Sequence, residues 1–145
     1  MTAPSDTRVP FAELVEHALE QGLTQVEAVG SPLHPFLLDD RGRMLLLFDE
    51  QGGVDPMELA CAAIKTHAAD AAHCALVLDS RLTFADGKKW DAIVVMACVR
   101  GSDEGVVRAQ RYVPKGLFRK FRREGVVEDV GTSKDFISVA LEDAA

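Results

Sequence analysis

The sequence predicts an α+β fold: a mostly antiparallel sheet of about five strands, two main helices packed on one face, and a small C-terminal helix. Three observations carry this. Residues 92–99 read Ala-Ile-Val-Val-Met-Ala-Cys-Val, apolar throughout, framed by Lys89 and Asp91 before and Arg100-Gly101 after. A β-branched run this short and unbroken is the pattern of a strand covered on both faces. Turn signals at Asp86-Gly87 and Gly101–Gly105 then cut the region 74–113 into a three-strand meander, which pairs antiparallel. Helical periodicity precedes these strands and returns near the C-terminus.

Taken in order, Pro10–Gln21 is the first helix, with Leu14, Val15, Ala18 and Leu19 at helical spacing, Pro10 in the first turn and Gly22 as the stop. Gln25–Val29 is a short strand ended by Gly30-Ser31-Pro32. Phe36–Leu38 and Arg43–Phe48 form a hairpin around Asp39-Asp40-Arg41-Gly42, and Asp49–Asp55 is a loop. Asp55-Pro56-Met57-Glu58 is a capped helix start, and the helix runs to about Ala71. The meander strands are Cys74–Ala85, Trp90–Arg100 and Val106–Val113. A two-residue turn at Asp86-Gly87 sets residues whose numbers sum to 173 opposite each other. In that register Leu76, Leu78, Leu82 and Phe84 share the core face with Ile93, Val95, Ala97 and Val99. Val77, Asp79, Arg81 and Thr83 share the other with Trp90, Ala92, Val94, Met96 and Cys98. Residues 115–124 read either as a short helix that buries Leu117, Phe118 and Phe121 and leaves the cations solvated, or as part of a basic segment whose interleaved Tyr112, Phe118 and Phe121 suit a polyanion or nucleic acid. Thr132 or Ser133 caps a closing helix carrying Phe136, Ile137, Ala140 and Leu141.

One domain over residues 1–145 follows from length and from an apolar fraction of 48%, with 1–8 and 143–145 expected to be mobile. Cys61, Cys74 and Cys98 form no CxxC pair and sit among apolar neighbours, so they read as reduced and buried, and the location as cytoplasmic. No apolar run approaches the ~20 residues that span a bilayer, and no membrane partner is expected. The net charge of −7 argues against nonspecific nucleic-acid binding by the whole surface. Residues 108–123 nevertheless hold seven of the sixteen Lys/Arg and no acid, which leaves an anionic ligand or polyanion as one reading of that segment.

No motif carries a reaction, and no cofactor is expected. His67, His73, Cys74 and Asp70 match no usual metal-ligand spacing, so no metal site is assigned. Neither Cys74 nor Cys98 has a base on its own strand face, and Ser80 lacks a nucleophile elbow. Asp79 and Asp91 fall on opposite faces in the register above, which disfavours a carboxylate pair. The binding candidates are therefore Asp79, Arg81, Arg100, Arg108 and Arg111 around the meander, the polar pocket of a small hydrolase-like enzyme in the alternative reading, and Lys115, Arg119 and Arg122 in the basic segment. The absence of a catalytic constellation weighs against enzymatic activity. The expected role is a homodimeric binding or scaffold module, joined through an apolar sheet face bearing Val77, Trp90, Val94 and Met96.

Overall fold

A computed structural model describes residues 8–49 and 52–142. The elements are α1 (Phe11–Val29), β1 (Phe36–Asp39), β2 (Met44–Leu46), α2 (Pro56–His67), β3 (His73–Thr83), β4 (Lys89–Val99), β5 (Val106–Val113), β6 (Arg122–Gly131) and α3 (Phe136–Glu142). The class is α+β as expected. Among the described residues one antiparallel sheet has six strands rather than five, in the order β2-β1-β3-β4-β5-β6. Of the ends expected to be mobile, 1–7 and 143–145 lie outside the described residues. Arg8 is held in place, its Nη1 donating to Asp40 at 2.7 Å. No helix among the described residues is long and apolar enough to cross a membrane.

The turn between β3 and β4 decides which side chains share a face. It has three loop residues, Ala85-Asp86-Gly87, closed by the Phe84 N–H on the Lys88 carbonyl at 3.0 Å and the Gly87 N–H on the Phe84 carbonyl at 2.9 Å. Gly87 takes the left-handed conformation, with φ +78°. The extra loop residue slips the ladder by one place from the expected register, so Leu76 faces Met96, Val77 faces Val95 and Asp79 faces Ile93. A slip of one exchanges every side chain between faces. The expected mixture of polar and apolar strands on one face therefore disappears. Ala75, Val77, Ile93, Val95 and Ala97 form one apolar surface, and Leu76, Leu78, Val94, Met96 and Cys98 the other.

The helices divide between these surfaces, whereas the sequence reading put both main helices on one. Helix α1 covers the first with Leu14, Val15, Ala18, Leu19, Leu23 and Val26. Helices α2 and α3 cover part of the second, Ala60, Ile64, Phe136 and Ile137 lying over Leu37, Cys74, Leu76 and Cys98. Two covers are what an unbroken apolar strand demands, and the chain supplies one from α1 and the other, in part, from α2 and α3.

Helix α1 runs through the expected stop at Gly22 and absorbs the segment expected as a strand, because Leu23 and Val26 extend its buried stripe. Gly22 is a packing residue. A β-carbon there would stand 2.8 Å from Ile93 Cγ2 and 2.9 Å from Val77 Cγ1, and β-branched side chains yield little. Gly22→Ala should therefore destabilise the fold by about 1–2 kcal/mol, although alanine favours a helix interior over glycine by about 1 kcal/mol. Urea unfolding checks this, and a variant as stable as the parent would show a looser contact between α1 and the sheet.

A tight turn over 116–119 and the start of β6 replace the helix considered for residues 115–124. The pairing of β6 with β5 is broken by register shifts, and two extra residues on β6 bulge out between the Ala109–Glu128 and Arg111–Glu124 pairs. The buried Gln110 staples this bulge, its Nε2 donating to the carbonyls of Arg111, Glu124 and Gly125 at 2.9, 3.0 and 3.2 Å. A bulged, charged edge discourages a further strand from adding to the sheet. Asp55 accepts from the Met57 N–H at 2.9 Å, as expected of its cap. At α3 the cap is Asp135, accepting from the Ser138 N–H at 3.0 Å, in place of Thr132 or Ser133.

Candidate functional site

The predicted polar pocket residues are not brought together. Asp79 lies on the α1 side, where its carboxylate accepts from the Leu33 N–H at 2.7 Å and from the Tyr112 hydroxyl at 2.8 Å, with Ser31 Oγ at 3.4 Å. Those contacts tie the segment after α1 to the sheet. Burial, with the Asp79 charge beside it, pushes the Tyr112 hydroxyl far above its ordinary range, so it donates and stays neutral. Asp91 shares this face with Asp79, contrary to the expected register, and pairs with Arg81 at 3.5 Å. Arg108 is on the same face and is held by Asp129 at 2.8 Å. Arg100 is at the other end of β4, donating to the Ala69 carbonyl at 3.1 Å. Arg111 projects from the opposite face, beside Ala92. Grooves of about 360 and 330 Å³ run along α2, and none of these residues lines either.

What the structure does assemble is an apolar surface. Helices α2 and α3 stop short of the far half of their sheet face. Ala92, Val94 and Ala109 form its floor, and Leu78, Leu82, Phe84, Met96 and Val107 stand around them only partly covered. Of the expected interface residues, Trp90, Val94 and Met96 lie on this face. Val77 does not: the one-residue slip turns it into the α1 core, where it is fully buried. Leu78 and Leu82, read from the sequence as core, belong to the open surface for the same reason.

The Arg111 side chain rims this surface. The Arg111 guanidinium lies over the rings of Phe84 and Trp90, at 5.0 and 5.3 Å from their centroids. It is flanked by Asp86 at 3.5 Å and Glu128 at 3.6 Å. Trp90 Nε1 donates to Asp86 at 3.2 Å, and the Lys88 N–H donates to the same carboxylate at 2.8 Å. Those two donors, and then the charge of Arg111, hold Asp86 below the usual carboxylate range. Stacking against two aromatic rings suits the planar guanidinium and fixes the rim of the patch. Phe84, Trp90 and Arg111 come from three successive strands or their ends, and only the true register places them on one side.

The cysteines lie away from this surface as chemical groups. Cys74 and Cys98 are buried cross-strand partners, and Cys61 is half-buried. Burial raises the Cys98 thiol to about 11 and pushes Cys74 higher still, so neither supplies a thiolate near neutral pH. Among the described residues no three His, Cys, Asp or Glu side chains gather as a metal site. No protein-family model, curated protein or solved structure matches this chain.

Proposed function

We propose that this protein is a binding module that self-associates as a homodimer through the open half of the α2/α3 sheet face. The observation that carries the reading is the partly covered set Leu78, Leu82, Phe84, Met96 and Val107 around a buried floor, on a face whose other half is closed by helices. Contiguous apolar surface rimmed by polar groups is the signature of a protein contact, and a two-fold pair of identical patches is the commonest way to close one. The Arg111 stack at its edge provides the rigid aromatic and arginine anchors that dominate such contacts. A hydrolase-like role has less support, because its proposed pocket residues are divided between two faces and satisfied by internal partners.

Sedimentation equilibrium tests the reading. The parent chain should be dimeric at micromolar concentration, and Leu82→Glu combined with Met96→Lys should weaken the dimer about 100-fold. Both side chains are partly exposed, so far-UV circular dichroism should be unchanged. A parent chain that stays monomeric at high concentration would remove the proposal.

A further inference from the structure

We propose that the tip of the β5–β6 hairpin is a surface anchor that seats Leu117 and Phe118 in an anionic lipid bilayer. The segment 108–123 carries seven cations, and the structure sorts them. Arg108 pairs with Asp129, Arg111 with Asp86 and Glu128, Arg122 with Glu124, and Arg123 makes a two-pronged contact with Glu20 at 2.7 and 2.8 Å. Lys115, Arg119 and Lys120 make no ion pair among the described residues. All three flank the apex.

The apex itself is apolar and bare. Leu117 is 91% exposed and Phe118 95% exposed, the two most exposed large apolar side chains among the described residues. A tight turn presents them, the Gly116 N–H donating to the Arg119 carbonyl at 3.0 Å. Beneath it Phe121 packs on the buried Tyr112, ring centroids 5.6 Å apart, and fixes the base of the hairpin to the sheet. The helical alternative would have buried Leu117 and Phe118 beside Phe121. The hairpin buries Phe121 in part and turns the other two outward.

This chemistry fits a lipid surface better than a folded partner or a nucleic acid. A two-residue apex without a hydrogen-bonding side chain offers little to a protein interface, which needs some 20–30 residues a side. Leu117 has no ring to stack on a base, and stacking is what single-stranded nucleic acid asks of exposed side chains. A bilayer accepts both side chains at the depth of its headgroups and acyl boundary, with cations above them on anionic lipids. Outside 108–123 the chain carries nine Lys/Arg against 23 Asp/Glu, so an anionic surface repels the rest and orients the tip toward itself. A surface contact of this kind needs no spanning helix. It uses none of the residues of the proposed dimer face, so either idea stands or fails alone.

Flotation of the full chain with vesicles of phosphatidylcholine, alone or with about 30% phosphatidylserine, tests the anchor. Binding is expected to the anionic vesicles and not the neutral ones, and should fall as NaCl rises from about 0.05 to 0.5 M. Leu117→Ser with Phe118→Ser, and separately Lys115→Gln with Arg119→Gln and Lys120→Gln, should each lower partitioning about tenfold or more while the melting curve stays put. Phe118→Trp should report insertion as a blue-shifted emission on anionic vesicles. Undiminished binding by the serine pair would overturn the proposal in favour of plain charge attraction. So would an unshifted emission from bound Phe118→Trp protein, or tighter binding to single-stranded DNA that is lost with Phe118.

Discussion

Replacing Asp79 with alanine should cost about 3 kcal/mol of stability, a loss in the range set by hydrogen bonds to a charged acceptor and by the donors left behind. The Leu33 amide at 2.7 Å and the Tyr112 hydroxyl at 2.8 Å both end on this carboxylate. Leu33 is 6% exposed and Tyr112 only 1%, so water reaches neither donor readily. Tyr112 keeps Ser31 Oγ at 3.0 Å, and the stranded group is chiefly the amide. Asp79→Asn retains an acceptor oxygen and should lose less, and Tyr112→Phe, which removes a donor with its acceptor intact, about 1 kcal/mol. Urea unfolding followed by circular dichroism gives these values, with the midpoint moving and the slope unchanged. A loss under about 1 kcal/mol for Asp79→Ala would mean that the carboxylate is not committed to structure, and would return it to the candidates for chemistry.

Gly105→Ala should be as damaging, about 3 kcal/mol, at the upper end of what overpacking usually costs. A β-carbon there would meet the Ser133 carbonyl oxygen at 2.2 Å and the Ala97 carbonyl oxygen at 2.8 Å. Both obstacles are backbone, so no rotamer change relieves them; strand β4 or the segment before α3 must move. That segment carries Asp135, which caps α3 and also accepts from the Gly101 N–H. The displacement would therefore loosen the short helix that shields Cys98 and Leu76. Gly101→Ala is the control: its φ of +76° makes alanine uncomfortable, but nothing lies within 4 Å of the added carbon. It should cost about 1 kcal/mol, and a thermal melt of the two variants separates steric clash from backbone strain. Equal melting temperatures would show that the loop around Gly105 is free to relax.

Several features are legible in the sequence. Asp55-Pro56 announced α2, the polar Asp39–Gly42 turn announced the β1–β2 hairpin, and β5 has the predicted bounds, Val106–Val113. Each rests on a local rule, where a few neighbouring residues suffice. Strand β6 was illegible for a physical reason: most of its residues are exposed, and a two-residue bulge breaks the alternation that would have revealed it. Gly22 misled because a glycine reads alike whether it ends a helix or lets a sheet come close. At the basic segment, Leu117, Phe118 and Phe121 fit a helical stripe as well as a hairpin tip, and the choice between them reverses what the segment presents to the outside.

The linear order of residues settled the composition of the central strand, and with it the need for cover on both of its surfaces. That requirement is local, because side chains alternate along any extended chain and every position in 92–99 is apolar. Which groups meet was decided only in three dimensions. One additional residue in the β3–β4 turn moves Val77 into the α1 core, gathers Trp90, Val94 and Met96 on the half-covered face, and puts Arg111 against Phe84 and Trp90. Turn length is a small energetic choice in itself, and it was resolved by the apolar area that the resulting register lets α1 and the α2–α3 pair bury.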